Sequence, residues 1–262
     1  STRAPSITQL QDVPDVSNPL NYVTGNPSLR QEFDHNVNIS YNSFNVNNFV
    51  FFNANLSGAM ATNKIVNSID SLGNSILLTR PVNINGAWNV ALSGTIGIPL
   101  KKVASGQRSP MNLNLSSFIR YSRDVTELYK QRNTSYTTMA SKRVDFNLNI
   151  QDKLDLGADA NFTWNNARYS VRKDQNNQYF LHSYAIDLTY TFFKRVSLST
   201  DFNYAINSGL AGGFNQSIPL WNASTAFLLF NKKNGEIRFS VYDILNQNKS
   251  INHVTGDGYF VQ

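Results

Sequence analysis

The twelve residues Leu154-Asp155-Leu156-Gly157-Ala158-Asp159-Ala160-Asn161-Phe162-Thr163-Trp164-Asn165 alternate without an error. Every even position is apolar and every odd position is polar or glycine. A period of two puts one set of side chains on each face of a β-strand, whereas an amphipathic helix repeats every three to four residues. The stretch from Arg195 behaves alike, with Val196, Leu198, Phe202, Tyr204 and Ile206 against Ser197, Ser199, Asp201, Asn203 and Asn207; Thr200 is the one mild exception. The same alternation runs through Val144–Ile150, Tyr184–Phe192, Trp221–Leu229 and Ile237–Val241, and less regularly through 33–43, 46–58, 86–99 and 109–123. The count is ten strands. Those four earlier segments alone run 11 to 15 residues, against about 5–6 for the commonest soluble strand. A tilted strand crosses the hydrocarbon core of a membrane in about 9–11 residues, so these can cross and protrude.

The connections alternate too. Short ones fall near 44–45, 151–153, 193–195 and 231–234, with a longer one at 100–108; long ones fall near 59–85, 124–137, 169–179 and 209–218. Tight turns at one end and long loops at the other are the asymmetry of an outer-membrane barrel. Within 59–85, Lys64–Asp70 and Ser75–Thr79 flank Leu72-Gly73-Asn74 and form a candidate protruding hairpin. Charge is segregated as a lipid-facing surface requires. Over the regular part of the six best strands the apolar face carries no ionised residue, while Arg143, Asp145, Asp155, Asp159, Asp187, Arg195, Asp201, Glu236 and Arg238 fall on the other face. A soluble β-sandwich also keeps charge off its inner faces; strand length and the alternating connections favour the transmembrane barrel.

Composition agrees. Of 262 residues only 15% are charged, while 41% are hydrophobic, 12% aromatic, 36 are Asn and 27 Ser. Uncharged polar groups therefore replace ions on the wet face. No run approaches the ~18 apolar residues of a membrane helix, which excludes a helical membrane protein. The absence of Cys excludes disulfides and thiolate metal sites. The first residues, STRAPSITQL, lack the charged-then-apolar layout of a secretion signal.

Three segments carry a family resemblance. Arg3-Ala4-Pro5-Ser6-Ile7, then Gly25-Asn26-Pro27-Ser28-Leu29-Arg30-Gln31-Glu32, then Val241-Tyr242-Asp243-Ile244-Leu245-Asn246-Gln247-Asn248 resemble, in this order, segments of the C-terminal barrel half of TonB-dependent outer-membrane receptors of Bacteroidetes type. Gln31 stands where the family usually has Pro, and the third segment is similar to part of the family's penultimate strand. The resemblance implies a 22-strand all-β antiparallel transmembrane barrel around an N-terminal plug that an energy-coupling protein pulls. Residues 1–262 would then be the C-terminal part of the barrel, with no plug domain among them, in a bacterial outer membrane. A self-contained ten-strand barrel also satisfies the requirement that no sheet edge stay open in lipid. The partners implied are outer-membrane lipid and lipopolysaccharide, the plug and the rest of the barrel, a TonB-type energy coupler, and a surface lipoprotein or other outer-membrane subunits. The function implied is uptake of a bulky nutrient such as a metal chelate, glycan or peptide. Alternatives are a structural or assembly subunit of a larger outer-membrane complex, and a secreted all-β adhesin or lectin.

Nothing in the sequence points to catalysis, a cofactor or a metal. His35, His182 and His253 are far apart, and adjacent Asp34 and His35 face opposite sides of a strand. Asn-x-Ser/Thr triplets at Asn38, Asn55, Asn114, Asn133, Asn161, Asn215, Asn222 and Asn248 are what an Asn- and Ser-rich chain produces by chance. The net charge of +6 sits at strand ends: Lys101, Lys102, Lys153, Lys194, Arg195, Lys232 and Lys233 at the short turns, and Lys130, Arg132, Lys142, Arg168, Arg172 and Lys173 in or beside the long loops. That layout fits membrane phosphates better than nucleic acid. Trp88, Tyr121, Trp164, Tyr184, Phe192, Phe193, Tyr204 and Trp221 are placed toward strand ends as interfacial girdles. Asn112, Asn114, Asn147, Asn149, Asn161, Asn203 and Ser197 line the expected lumen. Finally, a turn at 150–152 sets Arg143 opposite Asp159, whereas a turn at 151–153 sets Asp145 opposite Asp159; the first is expected, because directly opposed like charges are destabilising.

Overall fold

The computed structural model describes residues 1–73, 76–101, 109–151, 153–193, 195–209, 215–230 and 235–248, and the backbone of 254–256 and 259–261. Its main body is a 14-stranded sheet. Ten strands form the wall, each antiparallel to its neighbours: β3 (Glu32–Phe44), β4 (Phe51–Thr62), β7 (Ala87–Pro99), β8 (Met111–Leu128), β9 (Gln131–Ile150), β10 (Leu154–Tyr169), β11 (Asn177–Phe192), β12 (Val196–Ser208), β13 (Gln216–Leu229) and β14 (Gly235–Val241). The expected count and order hold. A short β1 (Thr2–Arg3) touches only the first two residues of β3, so most of the β3 edge is unpaired among the described residues, and β14 ends the other side. The sheet is open. A separate pair, β15 (Val254–Gly256) and β16 (Tyr259–Val261), is antiparallel.

Parity is as the alternation dictates. In β10, Leu156, Ala158 and Ala160 pair with Leu148, Phe146 and Val144 of β9 and with Leu188, Ile186 and Tyr184 of β11, so apolar side chains continue across the face. These side chains are half-exposed and cover no protein core: Ile186 is 49% exposed and Leu198 46%. A sandwich would bury that face against a second sheet; here nothing covers it among the described residues. Thr200, the exception to the alternation, is explained by its hydroxyl, which donates to the Asn222 carbonyl (2.9 Å) and accepts from Trp221 Nε1 (2.8 Å). It satisfies an indole N–H on the apolar face.

Three expectations are corrected. The 124–137 segment is no loop: β8 and β9 continue through it to a two-residue turn at Tyr129 and Lys130, both with positive φ. Alternation fades there because neither face looks at lipid, so the periodic signal disappears while the ladder continues. The first turn is longer than expected, occupying 45–50, so β4 starts at Phe51 and not at 46; Asn45 and Asn48 side chains accept from the Asn47 and Val50 amides and hold it. The third resembling segment leaves the strand early. β14 stops at Val241, and Asp243, at φ +50°, accepts from the Gln247 and Asn248 amides at 2.9 and 3.0 Å to close a turn.

The packed core lies at the long-strand end. There β5 (Lys64–Gly73) and β6 (Ile76–Ile84) form the expected hairpin, longer than expected; β5 lies parallel to β8 through Ser68 and Ile69, and β6 is parallel to β2 (Asn21–Val23). Asn74 and Ser75 lie outside the described residues. Val125, 1% exposed, and Ile65, 8% exposed, fill the space beneath. Gly86, at φ +101°, is needed where the chain turns into β7, because a Cβ there would meet the Arg123 and Arg132 guanidinium groups at 2.6 Å. Those groups donate to the Gly86 and Asn85 carbonyls and tie the hairpin to the wall.

Candidate functional site

The polar face of the wall divides into two chemically different halves. On β3, β4, β7 and β8 it is built mainly from amides and hydroxyls, with Glu32 and Asp34 of β3 and Arg120 and Asp124 of β8 as its charged members: Asn53 donates to Asn42 (2.5 Å), Asn55 to Asn38 (3.0 Å), and Thr95 and Ser116 share a bond of 3.0 Å. Such groups hydrate a wall without charging it. On β9–β12 the same face carries Asp145, Asp155, Asp159, Asp187 and Asp201, with Arg143 among them. The expected lumen residues Asn112, Asn114, Asn147, Asn149, Asn161, Asn203 and Ser197 all fall on this face, spread over β8, β9, β10 and β12.

The register of the acidic half overturns one expectation. The turn occupies 151–153, so Leu154 pairs with Ile150 and Asp159 stands directly opposite Asp145. Arg143, one step diagonal, resolves the conflict: its Nε lies 2.7 Å from Asp145 Oδ2 and 2.6 Å from Asp159 Oδ2. One cation between two carboxylates replaces the repulsion with two attractions. Close by, Ser141 donates to Asn161 (3.1 Å) and Thr163 to Ser141 (3.2 Å), which accounts for the burial of Thr163.

At the long-strand end the structure joins two segments that the sequence keeps apart. Arg3, from the first resembling segment, donates to Glu32, the last residue of the second, at 2.6 Å. Glu32 is 5% exposed, and the same Oε2 accepts the Ile65 amide at 3.1 Å, so one carboxylate holds β1, β3 and the hairpin. Asn26 of the second segment donates to the Pro81 carbonyl of β6 (2.9 Å), and Gly25 lies against the Gln11 backbone where a Cβ has no room. Both segments thus build a folded cap. The order of the segments was visible in the sequence, but their meeting was not.

Girdle residues are partly where expected. Trp88 and Tyr121 are 5.5 Å apart near the capped end, with Tyr136 stacked on Tyr121 at 6.2 Å; Tyr190 and Phe192, 4.5 Å apart, mark the short-turn end. Tyr184 departs from its expected place because β11 starts earlier, at Asn177, leaving it at mid-strand, where it joins Phe162 and Tyr204. Among the cations, Lys101, Lys153 and Arg195 lie at the short turns and Lys130, Arg132, Arg168, Arg172 and Lys173 at the capped end; Lys102, Lys194, Lys232 and Lys233 lie outside the described residues. Lys142 is a correction. It sits inside β9, in phase with Val144 and Phe146 on the apolar face, where a lipid-facing cation costs about 2–4 kcal/mol at the midplane and less toward the interfaces. The signal was present in the sequence as an even-numbered cation in an even-numbered apolar series.

The histidines do not converge. His35 pairs with Met60 at the β3 edge and His182 lies on β11 against the Phe162 ring at 5.4 Å, while His253 is outside the described residues. Among the described residues no group of three His, Cys, Asp or Glu side chains could hold a metal.

Long antiparallel strands, one face apolar and uncovered, the other hydrated, with tight turns at one end and an elaborated cap at the other, define the wall of an outer-membrane β-barrel. Residues 1–143 match the outer membrane protein beta-barrel family, and the chain belongs to that family, which places it in the bacterial outer membrane. A comparison with curated proteins returned no match. In this setting the short-turn end is periplasmic and the capped end extracellular.

Proposed function

We propose that this chain is the C-terminal barrel wall of a TonB-dependent receptor that takes up a bulky nutrient. The observation that carries the reading is the width of the wall. Ten wall strands lie side by side and the sheet is still open at β3 and β14. About eight strands already give a barrel whose interior side chains can fill it, and open edges are excluded in lipid, so closure with further strands leaves a wide hydrated lumen. The resemblance of the segments around Arg3, Gly25 and Val241 supports the receptor assignment and its plug and energy coupler. In this reading the wall performs no chemistry. Loops bind the nutrient, the plug moves, and the solute passes along amides and hydroxyls that exchange hydrogen bonds with it.

The test is uptake by cells with and without the gene, using a panel of ferric chelate, vitamin, oligosaccharide and peptide, with and without a protonophore. Loss of one uptake on deletion, abolished equally by the protonophore, supports the reading. Uptake that persists without proton-motive force indicates a passive pore, and no uptake defect together with loss of a co-purifying complex indicates a structural or assembly subunit.

A further inference from the structure

On the apolar face, three neighbouring strands carry small side chains at one level. Gly94 of β7 pairs with Ser117 of β8, Ser117 pairs with Lys142 of β9, and Ala140 is the next residue on that face of β9. Larger residues stand on both sides, Phe52 and Leu92 on one and Phe162, Trp164 and Phe180 on the other, leaving a hollow of about 690 Å³. Crowding does not impose the glycine: a Cβ at Gly94 would meet nothing closer than the Asn53 carbonyl oxygen at 3.7 Å. The missing side chains open the hollow toward lipid.

Lys142 lies in this hollow, exposed, with no hydrogen bond or ion pair among the described residues. Between the two aromatic girdles it is the one Lys, Arg, Asp or Glu on the apolar face of the described wall, so the described residues supply no counter-ion there. Lys142 is eight residues from Ile150 at the periplasmic end of β9, in a crossing of about 9–11 residues. That height belongs to the outer leaflet. Just beyond it, over the small Ala140, comes the row of Trp164 and Phe180. A lysine stem can lie along apolar surface while its ammonium reaches the headgroup level.

We propose that the hollow seats an acyl chain of a phosphate-bearing glycolipid of the outer leaflet, with the Lys142 ammonium paired to its phosphate. The apolar floor fits the chain, and the unpaired cation at headgroup height fits the anion. This site is on the outside of the wall and does not depend on what the lumen transports.

The test uses the full protein extracted from outer membranes in mild detergent, with bound lipid read by native mass spectrometry after addition of phosphorylated lipid A, dephosphorylated lipid A or phosphatidylglycerol. Phosphorylated lipid A is expected to be retained about tenfold over the dephosphorylated form, as a charge-assisted contact implies. Lys142→Gln removes that preference and Lys142→Arg keeps it. Ser117→Leu, which fills the hollow and leaves the ammonium, lowers retention of both lipid A forms. Heat-dependent gel migration checks that each variant is folded. The proposal is overturned if Lys142→Gln keeps the preference, if phosphatidylglycerol is held as strongly as lipid A, or if a protein subunit shields Lys142 from an amine reagent in intact membranes.

Discussion

Removing the Arg143 side chain tests the register of the polar wall. In the native arrangement Arg143 contacts Asp145 at 2.7 Å and Asp159 at 2.6 Å, and the two carboxylates stand opposite each other. Arg143→Gln leaves them facing with no cation between. Two charges about 5 Å apart repel by about 1 kcal/mol in bulk water and about 3 kcal/mol at an effective dielectric constant near 20. The side chains of Asp145 and Asp159 are 31% and 24% exposed, and Arg143 is 54% exposed, so screening brings the expected loss down to about 1–2 kcal/mol. Urea unfolding of the full protein in detergent, followed by tryptophan fluorescence, measures it. Raising salt from low to about 1 M, where screening acts within about 3 Å, recovers part of the loss. Adding Asp145→Asn to Arg143→Gln removes one of the opposed charges and restores stability to within about 0.5 kcal/mol of the native protein. With the turn at 150–152 instead, Asp145 would face Gly157, and Asp145→Asn could not rescue. A double variant no more stable than Arg143→Gln alone therefore refutes the argument.

Three further outcomes are expected. Glu32→Gln weakens the contact to Arg3 and to the Ile65 amide; since Arg3 is largely exposed, the cost is about 1–2 kcal/mol, confined to the cap, and hydrogen exchange at Ile65 accelerates while that of the wall does not. Unchanged exchange at Ile65 would show that Glu32 does not hold the cap. Ile186→Arg on the apolar face destabilises insertion into lipid vesicles by about 2–4 kcal/mol, whereas Asn147→Arg on the polar face changes it little; equal effects would contradict the assignment of faces. Thr200→Val strands the Trp221 indole N–H and costs about 1 kcal/mol, with a change in tryptophan emission; a silent substitution would mean that lipid headgroups or water satisfy Trp221 instead.

The sequence by itself determined the ten wall strands and their two faces, because each follows from local alternation. Leu154–Asn165 announces its faces whatever it pairs with. Register is different: sliding β9 against β10 by two residues keeps every side chain on its face, so parity cannot distinguish Asp159 opposite Arg143 from Asp159 opposite Asp145. The tertiary structure has the second, in which Arg143 reaches Asp145 along its own strand and Asp159 diagonally across the ladder. The extension of β8 and β9 was equally hidden, since above the membrane no apolar face remains to set a period; pairing with β5 and burial of Val125 stabilise it. Likewise the sequence shows Gly94, Ser117, Ala140 and Lys142 as separate small or exceptional residues. Only the stacking of three strands places them side by side and turns them into one hollow with a cation in it.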